Sequence, residues 1–463
     1  MEKRRSKIIV NKFGGGILTS RYILVAKKRI EQQIEKGYSP IVVVSALNGV
    51  TDDLVEFFSE LNNVNLRRRK ENRNENRHIE NLIDLFIKDI RKKHILMMRR
   101  VKISEEDQDK IMLSFDQVFQ EMKDDFAAST RFGGLDMVQD KILSYGERLS
   151  ALFFCVFLNV NDIKAKIFLA EDIPITTDNV HLNANINYNE ASRNTRKTLK
   201  SMNAIPIING FTGRDKDGNI TTLGRGGTDT TACFVGAALK ADRVVLWKDT
   251  KGVLSADPRI IQNAKTIAYL SYEEAVESGK IVHDKAISYV KDSKTPLEIV
   301  SISDTKKYTL VGPQSKEDVG AKIIGFKKEL MLMVITDDRV SEYGFLFGVA
   351  KILSFHKINM VLIRNTRDSL HVVVENDNVN LEKALEELKR KKYLICCWPV
   401  CMITLIGSLN WKMVNIFNDV LLENCSNPQL GAFPYKHCVR LEAVVKSTEM
   451  KKVMRELHKK FIN

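Results

Sequence analysis

The 463-residue sequence lacks the features that define several classes of protein. Its seven cysteines contain no pair of CxxC units, so zinc-ligand spacing is missing, and their odd number argues against a secreted disulfide framework. No run approaches the roughly 18 apolar residues that a membrane helix needs. The basic N-terminus is not followed by the long apolar region of a secretory signal. The sequence therefore predicts a cytoplasmic protein with reduced thiols, no membrane contact and no protein-held metal centre.

What the sequence does contain is an ordinary globular composition, with 44% hydrophobic and 28% charged residues. The length exceeds what one hydrophobic core usually organises, so we expect two to four domains.

The net charge of +14 raises the question of nucleic-acid binding. Much of this charge lies between Leu66 and Lys102, a segment that contains thirteen lysines and arginines but five acidic residues. No series of aromatic residues is interleaved there to form a stacking surface, since Phe86 is the single Phe, Tyr or Trp in this segment. We therefore interpret residues 62–102 as a solvated basic helical insertion and expect no nucleic-acid partner.

Strands and helices alternate over the first two thirds of the chain. Lys7–Val10 and Pro40–Ser45 read as short buried strands with an amphipathic helix between them, which is a βαβ unit and predicts a parallel sheet. Beyond a polar connector near 312–328, the order βαββα occurs twice, which indicates a pair of ferredoxin-like modules. The predicted domains are 1–315, 316–395 and 396–463.

The first motif with chemical content is Asn11-Lys12-Phe13-Gly14-Gly15-Gly16, directly after the first strand. Glycines allow the backbone amides to approach phosphate oxygens. Lys12 supplies the positive charge that a transferring phosphoryl group needs. A strand followed by glycines is often only a tight turn, so this motif is weak by itself.

The second motif, Leu223 to Ala232 (LGRGGTDTTA), leads into a helix and is far more specific. A helix N-terminus offers unpaired amides, Arg225 can hold a carboxylate through two hydrogen bonds, and Asp229 can orient a cation or an ammonium group. Helix capping by Thr228 or Asp229 explains part of the pattern, but not an arginine between glycines.

Three further segments contain polar or charged residues at positions that suit ligand binding. Ser45 ends a buried strand and begins Ser45-Ala46-Leu47-Asn48-Gly49-Val50-Thr51, at the edge where open α/β sheets bind ligands. Glu147 lies at the start of an apolar helix in Tyr145-Gly146-Glu147. Trp247 to Arg259 (WKDTKGVLSADPR) follows a strand and suits the rim of a nucleotide site.

In this order and spacing, the five segments resemble the aspartokinase family of the amino-acid kinase superfamily, and the C-terminal modules resemble its paired ACT domains. The end of the chain is most similar to lysine-sensitive, monofunctional members. The resemblance implies the amino-acid kinase fold, a mainly parallel sheet sandwiched by helices, followed by two βαββαβ domains. It also implies an enzyme that phosphorylates the β-carboxylate of L-aspartate with Mg-ATP, in the synthesis of lysine, threonine and methionine.

The resemblance assigns roles to individual positions. Lys12, Arg225 and Asp229 are the implied catalytic residues. The implied substrate-binding residues are Ser45, Thr51, Glu147, Arg225 and Thr228, with Arg225 on the α-carboxylate and Glu147 on the amino group. The implied nucleotide-binding residues are Lys12, Gly14, Gly15, Gly16, Lys248, Asp249, Leu254, Arg259 and Lys280.

The sequence departs from the family pattern at one point close to the reacting groups. Gly16-Ile17 stands where the family has Thr-Ser, so two hydroxyl groups are missing. Two alternatives therefore remain open, a kinase for another small amino acid or carboxylate, and a catalytically weak sensor of amino acids.

Regulation is also implied by the resemblance. An amino-acid effector, with lysine favoured, is expected near Tyr343, Gly344, Phe345 and Leu346 at the start of a helix, although a plain helix cap with a core phenylalanine explains these residues equally well. ACT modules usually pair across subunits, so a homodimer or a larger homo-oligomer is expected.

Overall fold

A computed structural model describes residues 7–71, 76–132, 135–170, 172–199, 203–279, 282–315, 319–376, 378–426, 429–430 and 438–462. The chain divides into two compact units. Unit 1 comprises residues 1–253 and 266–314, and unit 2 comprises residues 254–265 and 315–463.

Unit 1 contains ten strands and nine helices among its described residues. The strands are β1 (Lys7–Phe13), β2 (Tyr38–Val44), β3 (Ala165–Phe168), β4 (Ile205–Asn209), β5 (Thr212–Arg214), β6 (Ile220–Thr222), β7 (Arg243–Lys248), β8 (Tyr269–Ser271), β9 (Leu297–Ser301) and β10 (Tyr308–Gly312). The helices are α1 (Ile23–Glu35), α2 (Val50–Glu71), α3 (Asn76–Arg100), α4 (Glu105–Phe132), α5 (Asp136–Asn159), α6 (Tyr188–Leu199), α7 (Gly227–Leu239), α8 (Tyr272–Glu277) and α9 (Asp284–Ser293).

Eight of these strands form one sheet in the order β3-β4-β2-β1-β7-β9-β10-β8. Every neighbouring pair is parallel except β9 and β10. The central strands β1, β2 and β7 carry runs of valine, isoleucine and leucine, as expected for strands buried on both faces. The carboxyl ends of β1, β2, β4 and β7 consequently meet at one edge of the sheet.

Helices cover both faces of this sheet. Side chains alternate along a strand, so Ile9 and Val10 of β1 point to opposite faces. Ile9 belongs to the large hydrophobic core that includes helix α5. On the other face, helix α7 lies so close to β7 that a Cβ atom on Gly236 would be 2.2 Å from Val244 Cγ2 and 3.9 Å from Val10 Cγ2. The predicted sandwich of a mainly parallel sheet between helices is confirmed.

The basic segment is helical and packs into unit 1. Helix α3 buries Ile79, Ile83, Ile90 and Met98 in the same core as the sheet. Its charged residues pair with residues of opposite charge on neighbouring helices, in the ion pairs Arg91–Asp116, Lys93–Asp53 and Asp84–Lys123. The first half of helix α2 was not predicted, because it directly follows a glycine-containing motif, whereas residues 62–71 belong to the predicted helical insertion.

Helix α5 is the one described helix that is long and apolar enough to cross a membrane by length and composition. Its apolar window is 78% buried inside the protein. It is the central helix of the core on its face of the sheet.

Unit 2 is built on a six-stranded antiparallel sheet in the order β12-β13-β11-β14-β16-β15. Its strands are β11 (Gly320–Thr336), β12 (Met360–Asn365), β13 (Ser369–Glu375), β14 (Leu394–Leu409), β15 (Gln429–Leu430) and β16 (Cys438–Lys446). Its helices are α10 (Phe345–Phe355), α11 (Asn378–Arg390), α12 (Trp411–Asn424) and α13 (Met450–Phe461). An antiparallel sheet with this alternation fits the predicted ACT-type domains. The proposed boundary at 395/396 falls inside the long strand β14.

The segment 254–265 is distant in sequence from the rest of unit 2 but shares its core. Ala256, Ile260 and Ile261 pack in the hydrophobic cluster of helices α12 and α13. Ser255 Oγ lies 3.0 Å from Nε2 of the buried His458 on α13. Nothing in the sequence indicated which core these isoleucines would join.

Candidate active site

A cavity of about 560 Å³ opens at the carboxyl edge of the unit 1 sheet. It is lined by all seven residues predicted to be catalytic or substrate-binding, namely Lys12, Ser45, Thr51, Glu147, Arg225, Thr228 and Asp229. These come from β1, the β2–α2 connection, α5 and the start of α7, which meet because the parallel strands end together. The structure thus brings the predicted site into one place, while the individual roles stay predictions.

Two lysines share one carboxylate at the base of this site. Lys12 and Lys248 lie on the face of β1 and β7 that carries α7, since they alternate in register with Val10 and Val244. Lys12 Nζ lies 2.8 Å from Asp229 Oδ1, and Lys248 Nζ lies 3.3 Å from Asp229 Oδ2. Burial alone would raise the pKa of Asp229, but the two lysines outweigh it and hold that pKa below its usual value. Burial lowers the pKa of Lys12 in spite of its ion pair with Asp229.

Glu147 is a buried carboxylate in the middle of α5, whereas the sequence predicted it at the start of a helix, because the helix begins earlier, at Asp136. Its Oε1 accepts hydrogen bonds from Ala46 N at 3.2 Å and from Ser45 Oγ at 3.5 Å. Its Oε2 has no hydrogen-bond partner among the described residues. Burial raises the pKa of Glu147 to about 7, against the stabilising hydrogen bond from Ala46. A cationic group such as an ammonium would satisfy the unpaired oxygen and the buried charge together.

The glycine loop after β1 turns tightly beside Lys12. Ile17 N and Leu18 N both donate to Gly14 O, at 2.8 and 3.1 Å. A Cβ atom on Gly14 would lie 2.8 Å from Lys12 Nζ, so a larger residue there would displace the end of the lysine side chain. Gly16 is exposed, and a Cβ atom added to it would have no other atom within 4 Å. Ile17, in contrast, is 2% exposed and belongs to the core.

The start of α7 depends on two glycines with left-handed backbones, Gly224 (φ 75°) and Gly226 (φ 74°). They place the exposed side chain of Arg225 at the cavity, where it forms no ion pair with any described residue. The first turn of α7 also brings Thr228 and its unpaired amides to the same edge. An arginine, a helix N-terminus and two lysines together make this end of the cavity strongly attractive to anions.

The remaining predicted nucleotide-binding residues are distributed more widely. Lys248 contacts Asp229, and the exposed Asp249 follows it at the end of β7. Leu254 and Arg259 belong to unit 2, where Arg259 pairs with Asp257 at 2.6 Å. Lys280 lies outside the described residues. Contact of these residues with a nucleotide stays a prediction.

The predicted effector region opens helix α10. Gly344 caps the helix in a left-handed conformation (φ 89°), and Phe345 is buried in the core of its module, 5.2 Å from the Tyr393 ring. Tyr343 is fully exposed and Leu346 is 41% exposed. A capping glycine and a core phenylalanine therefore account for two of the four positions, and effector binding stays a prediction.

Sequence reasoning missed several cavity residues, chiefly Gln139, Leu182, Phe211 and Thr222. Asp52 ends the motif that contains Ser45 and Thr51 but was given no role, and Thr222 directly precedes the motif that begins at Leu223. Leu182 and Phe211 lie in loops without any chemical signature in the sequence.

Among the described residues no group of three or more His, Cys, Asp or Glu side chains could hold a metal ion. Asp229 is the carboxylate closest to the lysines, and both of its oxygens are engaged by them. A divalent cation at this site therefore fits best as part of a nucleotide complex, with phosphate oxygens as most of its ligands.

A site with lysines, a helix N-terminus and a glycine loop suits phosphoryl transfer, and the unpaired Glu147 and Arg225 suit a zwitterionic acid. The model of the amino acid kinase family matches residues 7–301, well over half of the chain. The chain belongs to the amino acid kinase family. The resemblance to this superfamily that the motifs indicated is thereby confirmed.

Within this family the chain is similar to aspartokinases. It is 38% identical to an aspartokinase of Rickettsia felis over 182 residues, which is 38% of this chain and 45% of that protein. It is 26% identical to an aspartokinase of Geobacillus stearothermophilus over 375 residues, which is 80% of this chain and 72% of that protein. The chain thus spans less than half the length of the Rickettsia felis relative that it matches.

Solved aspartokinases share the fold. Escherichia coli aspartokinase III in complex with lysine and aspartate (T-state) superposes with a TM-score of 0.80 at 22% identity, covering 99% of this chain and 100% of that one. The same enzyme in complex with aspartate and ADP (R-state) gives a TM-score of 0.74 at 22% identity, covering 98% and 99% of the two chains.

Proposed function

We propose that this amino acid kinase is an aspartate kinase, which transfers the γ-phosphoryl group of Mg-ATP to the β-carboxylate of L-aspartate. The observation that carries the proposal is the charge pattern of the cavity. It combines the buried carboxylate of Glu147, whose Oε2 has no hydrogen-bond partner among the described residues, with Arg225 and the buried Lys12. Arg225 forms no ion pair with any residue that the structure describes. A zwitterionic diacid presents one ammonium and two carboxylates, which matches this set in sign and number. The similarity to aspartokinases supports the choice of substrate.

In the proposed reaction, Arg225 binds the α-carboxylate and Glu147 binds the α-ammonium group. Ser45, Thr51 and Thr228 line the remaining polar surface of the cavity. This leaves the β-carboxylate directed toward Lys12, and binding at both charged groups of the α-carbon fixes its position.

One β-carboxylate oxygen then forms a bond to the γ-phosphorus, and the bond between that phosphorus and the β–γ bridging oxygen breaks. ADP leaves with the electron pair, and the product is 4-phospho-L-aspartate. The attacking carboxylate is ionised at neutral pH, so no general base is needed. Lys12, Lys248 and the amides of the glycine loop and of α7 stabilise the charge on the transferring group. The Mg²⁺ ion belongs to the nucleotide substrate.

The proposal is tested by measuring acyl phosphate, trapped with hydroxylamine, from ATP and aspartate. Arg225→Lys is the most informative variant, since it keeps the charge but cannot form two parallel hydrogen bonds with a carboxylate. We expect a large increase in the KM for aspartate and a small change in the KM for ATP. Equal changes in both values would argue against the assigned role of Arg225.

A kinase for another small acid is the second candidate, favoured by the glycine at position 16. The loop there offers no side-chain hydroxyl near Lys12. Higher kcat/KM on another amino acid or carboxylate than on aspartate would establish this alternative. An amino-acid sensor of low activity would bind lysine but turn over none of these acids.

We further propose feedback regulation by an amino acid, with lysine as the first candidate, through the ACT-type sheet of unit 2. The antiparallel sheet supports this proposal, as does the similarity to aspartokinases, one of which is known in complex with lysine. Exposed apolar side chains on the same unit, including Phe347, Phe355 and Trp398, support pairing with a second copy of the chain. A cytoplasmic location is supported by the six cysteines with described side chains, none of which forms a disulfide.

A further inference from the structure

Two apolar residues that line the cavity have left-handed backbones. Leu182 has φ 64° and Phe211 has φ 74°. Bulky residues rarely adopt this conformation, because the Cβ atom approaches the backbone too closely. Such strain persists only where surrounding contacts impose it, and it is concentrated at functional sites.

The contacts that impose the conformation of Leu182 come from Asp140. Leu182 N donates to both carboxylate oxygens of Asp140, at 3.0 and 3.2 Å. Asp140 is fully buried on α5 and also accepts from Thr222 Oγ1 at 2.5 Å, while its Oδ2 lies 2.7 Å from His181 Nδ1. One buried carboxylate therefore fixes Leu182 relative to α5 and to strand β6, which leads to Arg225.

The chain immediately after Leu182 is fixed as well. Lys285 Nζ on α9 donates to Asn183 O at 3.0 Å and to Asn183 Oδ1 at 2.7 Å. Ala184 N donates to Thr222 O at 2.9 Å. A Cβ atom on Gly224 would lie 3.2 Å from Leu182 O, so the loop lies against the glycine next to Arg225. Leu182 is thus held rigidly beside the residue that is proposed to bind the α-carboxylate.

The charged groups of the cavity recognise an ammonium group and carboxylates, which aspartate and glutamate share. Aspartate has a single methylene between the α-carbon and the reacting carboxylate, whereas glutamate has two. The apolar residues that line the cavity are Val55, Leu143, Leu182 and Phe211. Leu182 and Phe211 alone among these four are held in a strained backbone conformation.

We propose that Leu182 is a specificity-determining residue that restricts the cavity to a four-carbon diacid, and that Asp140 is the positioning residue that holds it in place. This inference rests on the proposed aspartate kinase function. It assigns the rejection of longer diacids to a strained leucine rather than to the charged residues.

The test compares Leu182→Gly with Lys240→Gly. Lys240 is exposed, ends α7 with φ 51°, and does not line the cavity, so its replacement relieves left-handed strain without opening the site. We expect Leu182→Gly to raise the ratio of kcat/KM on glutamate to kcat/KM on aspartate by about tenfold or more, the usual effect of one methylene in an apolar pocket. Lys240→Gly should leave the ratio unchanged.

The variant Asp140→Asn tests the proposed role of Asp140. Its amide retains one acceptor oxygen, so Leu182 N or Thr222 Oγ1 loses a partner. If Asp140 positions Leu182, the ratio of kcat/KM on glutamate to kcat/KM on aspartate should also rise in Asp140→Asn. A merely structural role would lower kcat/KM on both acids by the same factor.

A binding measurement distinguishes failure of the inference about Leu182 from failure of the proposed aspartate kinase function. Calorimetric binding of aspartate and glutamate is measured on the same proteins. If the wild-type protein phosphorylates neither acid, the proposed function fails, and the inference about Leu182 is then decided by binding alone. It is overturned if folded Leu182→Gly gains no affinity for glutamate relative to aspartate, and it stands if that gain is about tenfold.

Discussion

Lys12 Nζ lies 2.8 Å from Asp229 Oδ1, and both residues are less than 10% exposed. Lys248 approaches the other oxygen of the same carboxylate at 3.3 Å. One acid thus holds two cations in fixed positions at the carboxyl edge of the sheet. Because the lysines are oriented before any phosphoryl group arrives, stabilising its charge requires little reorganisation.

Replacing Lys12 by methionine should remove transition-state stabilisation while leaving the amino-acid end of the cavity intact. We expect kcat to fall by about 10²–10³-fold, the range for loss of one oriented donor, and the affinity for aspartate to fall by a smaller factor, because Arg225 and Glu147 still bind the groups on the α-carbon. Steady-state kinetics and calorimetry measure the two quantities. Lys27→Met, on the surface of α1, is the matched control. Retention of more than a tenth of the wild-type kcat would contradict the role of Lys12.

Asp229→Asn should destabilise the protein, because it leaves two lysines without their counter-ion. Breaking a buried ion pair from one side typically costs about 3–5 kcal/mol. Urea unfolding of Asp229→Asn, Lys12→Met and the double variant gives the coupling energy between the two residues. We expect the double variant to be more stable than the sum of the single effects predicts. Simple additivity would show that the pair is not coupled.

Glu147 should make stability fall as pH rises. Its pKa is about 7 in the folded protein against 4.5 for an ordinary glutamate, so between these values the folded state binds more protons than the unfolded state. The associated stability is present below pH 4.5 and is lost as pH rises through about 7, by up to about 3 kcal/mol. The measurement is the difference in unfolding free energy between the wild-type protein and Glu147→Gln from pH 5 to 8. The difference is needed because burial lowers the pKa of His94 to about 4, which adds a slope of opposite sign below pH 6.5.

The same titration predicts how aspartate binds. An ionised Glu147 is needed to pair with the ammonium group, so the affinity for aspartate should weaken as pH falls below about 7. The exposed Glu60→Gln serves as the control variant. A wild-type affinity that is constant from pH 6 to 8 would exclude Glu147 as the ammonium partner.

The two positions that depart from the family pattern should respond differently to restored hydroxyls. Gly16 is exposed, has open space around it and lacks a left-handed φ, so Gly16→Ser should change stability by less than about 1 kcal/mol. Ile17 is a core residue, so Ile17→Ser should cost about 3–5 kcal/mol. Urea unfolding separates the two cases. We also expect Gly16→Ser to increase kcat, and an unchanged kcat would show that this hydroxyl is dispensable here.

The sequence predicted the strands that position the site because β1, β2 and β7 each contain a continuous apolar run, and such runs need burial on both faces. It also predicted the charged residues, since an arginine between glycines is chemically unusual, as is a glutamate next to a long apolar run. The first half of helix α2 was not predicted because it directly follows Asn48 and Gly49, which favour turns rather than helices.

Other features depend on contacts between residues far apart in the chain. Asp140 and Leu182 are separated by 42 positions, and nothing in either segment indicates the hydrogen bonds that hold the leucine in a left-handed conformation. Likewise, Ile260 and Ile261 read as ordinary apolar residues after an Asp-Pro-Arg turn, yet they pack with helix α13. The spacing of apolar residues predicts that a residue is buried, but it does not predict which hydrophobic core the residue joins.

Aspartate as the substrate is tested most directly by the aspartate- and ATP-dependent formation of acyl hydroxamate by the wild-type protein and by Arg225→Ala, with and without lysine. We expect product from the wild-type protein, a loss of at least 10²-fold in kcat/KM for aspartate in Arg225→Ala, and inhibition of the wild-type enzyme by lysine. Absence of product from a folded wild-type protein that still binds ATP would contradict the assignment of aspartate as its substrate.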